Sequence, residues 1–257
     1  MTRNLRLSVE SVSRTHVGKV RKLNEDSLLD RPAAGLWAVA DGMGGHQAGD
    51  VASGMIVSAL EGVDSFSSGY AFMADVRDTI GRVNRTLIAR AAALAPGSVI
   101  GSTVVTLLLY ERHYAVLWAG DSRAYLLRGG RFEQVSRDHS MIQELVDAGS
   151  IGRAEARNHK RANVITRAVG VTDSLALDMV QGEVADGDLF LLCSDGLTGM
   201  LEDREICDCL CRAPTLDAAA DQLIQRTLDN GARDNVAVVL VRVGRSVDDT
   251  LDQTLLR

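Results

Sequence analysis

The close spacing of apolar runs between residues 101 and 135 restricts the fold more than any other feature of the chain. GSTVVTLLLYE, HYAVLWAG and SRAYLLRGGRFEQVS follow one another with only Glu111-Arg112, Gly120-Asp121 and Gly129-Gly130 as punctuation. A parallel crossover needs a dozen or more residues, so strands this close together must pair antiparallel, and the spacing predicts an antiparallel meander. Further strand patterns lie at 5–13, 35–40, 175–181 and 188–193 and in the closing run NVAVVLVRV. Helical spacing marks VASGMIVSALEGV, residues 71–95, 202–211 and 215–230. Helices thus come in groups between blocks of strands instead of alternating with them. That order predicts an α+β fold, a sandwich of two antiparallel sheets with helices on its outer faces.

The chain has 257 residues, 46% of them hydrophobic, enough for one large core, and a single domain is expected over 1–243. The polar stretch 139–165 reads as a mobile flap on that domain, and 244–257 as a loosely held polar tail. A net charge of −6 argues against a nucleic-acid binder, which needs a basic face to displace counterions. The longest apolar runs have strand length, so no membrane insertion is expected, and the N-terminus shows no apolar signal segment. Cys193 stands apart from Cys207, Cys209 and Cys211, a pattern unlike a disulfide framework, and the expected setting is the reducing cytoplasm.

Four aspartates close the ends of strand patterns beside glycine, serine or asparagine: Asp41 in VADGMGG, Asp121 in AGDSR, Asp195 in CSDGL and Asp234 in ARDN. Strand ends of a sandwich gather along an edge, and carboxylates that converge there repel one another unless cations neutralise them. Oxygen ligands suit Mg²⁺ and Mn²⁺, whereas His16, His46, His113, His139 and His159 are scattered without zinc spacing and read as structural or surface residues. Two hard cations about 3.5–4 Å apart acidify a water and clamp an in-line displacement at phosphorus, so hydrolysis needs no protein nucleophile. In GKVRKLNEDS, Arg21 can take phosphate oxygens while Glu25 and Asp26 hold metal-bound waters.

Plainer readings of these segments are weaker or lead elsewhere. DGMGGHQAG lacks the GK[ST] ending of a phosphate-cradling loop and begins with an aspartate. No cysteine is followed six residues later by arginine, which excludes cysteine-phosphatase chemistry. In CDCLC, Cys207 and Cys211 share a helix face and Cys209 points away, which reads as a partly buried helix without a metal. Trp37 and Trp118 fall in strand patterns and read as core.

VRKLNEDS, VADGMGGHQAGDVAS, GSTVV, AGDSRAYLL, SRDHS, LLCSDGL and ARDNVAVVLV also match, in order, the motifs of the metal-dependent, type 2C protein serine/threonine phosphatases. The DGMGG variant resembles the bacterial branch of that family. The resemblance implies a four-layer α-β-β-α sandwich and two or three Mg²⁺ or Mn²⁺ ions per chain. It implies that Asp41 bridges two metals, that the Gly42 carbonyl touches one, and that Asp195 and Asp234 complete the other. Asp121 and Asp195 are expected to hold a third ion, with Arg21 on the substrate phosphate and Glu25 and Asp26 acting through waters. Met43 stands where animal members carry a histidine that serves as a candidate general acid, and the role does not pass to His46.

The expected partners are phosphorylated protein substrates and a cognate Ser/Thr kinase whose action the chain reverses, with specificity residing in the flap and the chain a monomer. The alternative is a pseudophosphatase or phosphoprotein-binding module on the same fold. Missing acids would favour that alternative, and none is missing.

Overall fold

The structure is a computed structural model that describes residues 7–44, 48–64, 67–95, 97–152, 155 and 164–245. Its strands are β1 (Leu7–His16), β2 (Asp26–Arg31), β3 (Leu36–Gly44), β4 (Ile100–Ser102), β5 (Val104–Tyr110) and β6 (His113–Ala119), followed by β7 (Arg123–Arg128), β8 (Arg131–Gln134), β9 (Asp178–Glu183), β10 (Leu189–Cys193) and β11 (Val236–Arg245). Its helices are α1 (Gly49–Glu61), α2 (Gly69–Leu94), α3 (Met141–Asp147), α4 (Asp195–Thr198), α5 (Asp203–Arg212) and α6 (Leu216–Asp229). One sheet runs β1-β11-β10-β7-β8 and the other β2-β3-β5-β6-β9, with β4 paired to the end of β3. Every paired strand is antiparallel.

Three apolar layers hold this architecture together. Trp37 and Val39 of β3 face Phe190 and Leu192 of β10 and Val239 and Val241 of β11 between the sheets. The alternate residues of β3, Leu36, Ala38 and Ala40, pack under α1 and α2 with Ile56, Leu60, Ile80 and Leu87. On the other side Val238 and Leu240 of β11 meet Ile206, Leu210 and Leu223 of α5 and α6. Both faces of β3 and β11 are therefore buried, which explains why these strands read as unbroken apolar runs with no polar alternation. The result is the expected α-β-β-α sandwich.

Helix boundaries follow capping chemistry. Ser68 accepts the Ala71 N–H at 3.1 Å to start α2, Thr215 accepts the Ala218 N–H at 3.1 Å to start α6, and Glu202 with Glu205 forms a capping box on α5. Among the described residues no helix is long and apolar enough to cross a membrane.

The meander expected over 101–135 is corrected in one respect. β5–β6 and β7–β8 are hairpins across Glu111-Arg112 and Gly129-Gly130, but β6 and β7 do not pair. At Gly120-Asp121-Ser122 the chain leaves one sheet and enters the other. Gly120 has φ +115°, and a side chain there would meet Thr103, so the short break is a corner instead of a hairpin turn.

The two ends of the flap are pinned together. Met141 N–H donates to the Val164 carbonyl at 2.9 Å and Thr166 N–H to the His139 carbonyl at 2.8 Å. Residues 153–154 and 156–163 of the flap lie outside the described residues. Strand β11 runs through Gly244 to Arg245, and the remainder of the expected tail also lies outside the described residues.

Candidate metal centre

The acids singled out in the sequence come from five strand ends at one edge of the sandwich. Asp26 opens β2 directly opposite Asp41 near the end of β3. Asp121 follows β6 at the corner between sheets, Asp195 begins α4 just after β10, and Asp234 precedes β11. Antiparallel pairing makes this possible, because strands that run opposite ways put the start of one beside the end of the next.

Backbone and hydroxyl groups fix these acids in place. Asp41 N–H donates to Thr103 Oγ1 at 3.1 Å, and the Asp41 carbonyl accepts from Thr103 N–H and from Ser102 Oγ, each at 2.9 Å. Ser194 Oγ donates to Asp26 Oδ2 at 2.7 Å while accepting the Ala237 N–H at 3.0 Å. Gly42 N–H donates to the Glu25 carbonyl at 3.1 Å. Gly49, at the start of α1, permits this approach: a methyl group there would lie 2.4 Å from Glu25 Oε1 and 2.8 Å from the Gly42 carbonyl oxygen. The Asp121 corner is clamped by His139, which accepts the Gly120 N–H on Nδ1 at 3.1 Å and donates its backbone N–H to the Gly120 carbonyl at 2.9 Å. His139 thus has the structural role expected of the histidines.

Electrostatically the cluster is overloaded with negative charge. Burial pushes the Asp26 carboxyl up to about 7, and the charges of Asp195, Asp234 and Glu25 add to it against the opposing Ser194 hydrogen bond. Burial likewise raises Asp121 to about 7, with Asp195 and Asp138 adding and Arg123 opposing. Asp41 and Asp195 are raised too, first by burial and then by their acidic neighbours. Both keep part of their surface open to solvent. Acids in this state either hold protons or take up cations.

The donor set fits hard divalent cations. Asp26 Oδ1 and Asp121 Oδ1 are buried without any hydrogen-bond partner among the described residues, although buried carboxylate oxygens are ordinarily paired. All the side-chain donors are carboxylate oxygens, joined by the Gly42 carbonyl. No three of the described His, Cys, Asp or Glu side chains close into a ready cage.

Arg21 lies at the rim, half exposed, and donates from Nη2 to Asp234 Oδ2 at 2.7 Å. Its guanidinium also feels the charges of Glu25 and Asp41, so the structure brings it to the acids as the sequence suggested. Its direct partner, however, is Asp234 and not Glu25 or Asp26. Met43 lies with its terminal methyl near Gly101, and His46 lies outside the described residues.

Sequence reasoning missed Asn235, which organises the Arg21 loop. Its Oδ1 accepts the Glu25 N–H at 2.8 Å, and its Nδ2 donates to the Val17 and Leu23 carbonyls at 2.8 Å each. The signal was present in ARDN as a buried amide between an acid and an apolar strand, but only tertiary structure supplies its partners. Asn235→Ala strands three polar groups in a nearly closed site and should cost about 2–4 kcal/mol. For a chain of this size that corresponds to a melting temperature lower by about 5–15 °C in thermal unfolding.

Comparison with known proteins places this geometry. Residues 8–145 match the family model "Protein phosphatase 2C". The serine/threonine phosphatase stp of Listeria monocytogenes is 35% identical over 237 residues, covering 89% of this chain and 93% of that protein. PppA of Pseudomonas aeruginosa, described as a key regulatory component of T6SS, superposes with a TM-score of 0.85 at 44% identity, covering 91% of this chain and 97% of that one. The catalytic domain of the serine/threonine protein phosphatase PstP, solved in complex with two manganese ions, superposes with a TM-score of 0.84 at 34% identity, covering 93% of this chain and all of that one. A matching family model over more than half the chain, with relatives aligned over nearly their whole length, shows that the chain belongs to the metal-dependent, type 2C family of protein serine/threonine phosphatases, in its bacterial branch.

Proposed function

We propose that the chain hydrolyses phosphoserine and phosphothreonine monoesters in proteins with water, and so reverses the action of a partner kinase in the cytoplasm. The observation that carries this reading is the acid cluster with two buried, unpartnered carboxylate oxygens and an arginine at its rim. Asp41, the Gly42 carbonyl, Asp195 and Asp234 are the residues that would hold two Mg²⁺ or Mn²⁺ ions, and Asp121 with Asp195 a third. When bound, such ions supply Lewis acidity to the phosphoryl oxygens and acidify water near neutral pH.

The rest belongs to the chain's own residues. Asp26 is held by Ser194 with one oxygen free, and Glu25 is fixed through its backbone to Asn235 and Gly42, so both acids can orient water without moving. With Asp234 serving as a metal ligand, Arg21 would be released from its carboxylate partner, and its planar fork would be free to seat a phosphate in bidentate fashion and present the phosphorus for in-line attack. The free cysteines among the described residues suit a reducing compartment.

Arg21→Ala should therefore act on substrate binding more than on metal binding. KM for a phosphothreonine peptide is expected to rise by about tenfold or more, the loss of roughly one charge-assisted contact, while the metal concentration for half-maximal activity stays within about twofold. Steady-state kinetics at several Mn²⁺ concentrations checks this, and an unchanged KM removes Arg21 from the phosphate site.

A further inference from the structure

The helix α5 carries CDCLC, a motif that the phosphatase site does not use. Cys209 is buried against the core beside Ile206 and Leu210, while Cys207 is half-buried and Cys211 exposed on the opposite face. The Cys207 and Cys211 sulfurs lie 3.8 Å apart. Two thiolates on one tetrahedral Zn²⁺, with Zn–S bonds of about 2.3 Å, have their sulfurs roughly 3.8 Å apart, a separation that this pair, in S–H···S contact, already matches. A disulfide fits less well. Residues four apart on a helix hold their Cβ atoms about 5–6 Å apart, against about 3.5–4.5 Å across a disulfide, so closing that bond would distort the helix.

We propose that Cys207 and Cys211 form a surface dithiolate site for a single thiophilic cation of the Zn²⁺ or Cd²⁺ class. On binding, each thiol gives its proton to solvent and each sulfur donates a lone pair to the cation, with no change of oxidation state, and water completes the coordination. The site differs in kind from the carboxylate centre. Soft sulfur selects thiophilic ions, whereas the strand-end acids select hard ones.

The test uses the full chain, freshly reduced and held in saturating Mg²⁺ so that the carboxylate centre is filled. Cd²⁺ is titrated while the ultraviolet thiolate-to-cadmium charge-transfer absorbance is followed, a signal that carboxylates do not give. The expected result is a band that saturates at one Cd²⁺ per chain and is absent in both Cys207→Ser and Cys211→Ser, with each variant retaining the native circular dichroism and Mg²⁺-supported turnover. No band in the native chain, or the same band in the double variant Cys207→Ser/Cys211→Ser, overturns the proposal.

Discussion

Asp41→Asn should lower kcat/KM for a phosphothreonine peptide by about 10³-fold or more, a loss of at least about 4 kcal/mol of transition-state stabilisation. The carboxylate sits opposite Asp26 in the strand register, beside Asp195, and its backbone is locked on both sides by Ser102 and Thr103. Asparagine has the same shape and leaves those backbone bonds intact, so the substitution removes charge and little else. If Asp41 bridges two cations, both lose a ligand at once and the effect exceeds that of losing a single hydrogen bond. Steady-state kinetics at saturating Mn²⁺ measures it, and a variant within tenfold of the parent would remove Asp41 from the metal centre.

The second large effect is on stability. A cluster that contains Asp26 and Asp121 with unpartnered buried oxygens and raised carboxyl pKa values is under electrostatic strain, which divalent cations relieve. A ligand that binds only the folded state, present at 100 times its dissociation constant, stabilises by about 2.7 kcal/mol. In a chain of this length Mn²⁺ should therefore raise the melting temperature by about 5–10 °C, and a chelator should reverse the shift. Asp121→Asn removes one of the strained charges in advance. The metal-free variant should be more stable than the metal-free parent by roughly 1–3 kcal/mol and gain less from Mn²⁺. Scanning calorimetry checks both expectations, and a melting temperature indifferent to millimolar Mn²⁺ and Mg²⁺ would contradict them.

Much of this was legible from local patterns. The acids Asp41, Asp121, Asp195 and Asp234 stood out because each interrupts an apolar run at a strand end, and the sandwich edge gathers such positions. The longer helices α1, α2, α5 and α6 were legible too, as 3.6-residue spacing survives any tertiary arrangement, whereas the four residues of α4 are too few to show it. Corners were harder to read. Gly120-Asp121 resembles a hairpin turn, and only the pairing of β6 with β9 and of β7 with β10 shows that the chain changes sheets there.

Partners distant in sequence were illegible by nature. Asn235 meets Glu25, Val17 and Leu23 across more than 200 residues, and Ser194 meets Asp26 across 168. The pairing of Arg21 with Asp234 belongs with these, since spacing within GKVRKLNEDS pointed only to its near neighbours Glu25 and Asp26.

The most direct test of a metal-driven phosphatase is hydrolysis of a phosphothreonine peptide by protein stripped with a chelator and confirmed to be folded, before and after Mn²⁺ or Mg²⁺ is restored. The carboxylate centre predicts no turnover in the stripped protein and its full return with either ion. Turnover that survives complete stripping, or silence of the folded protein under both ions, would contradict it.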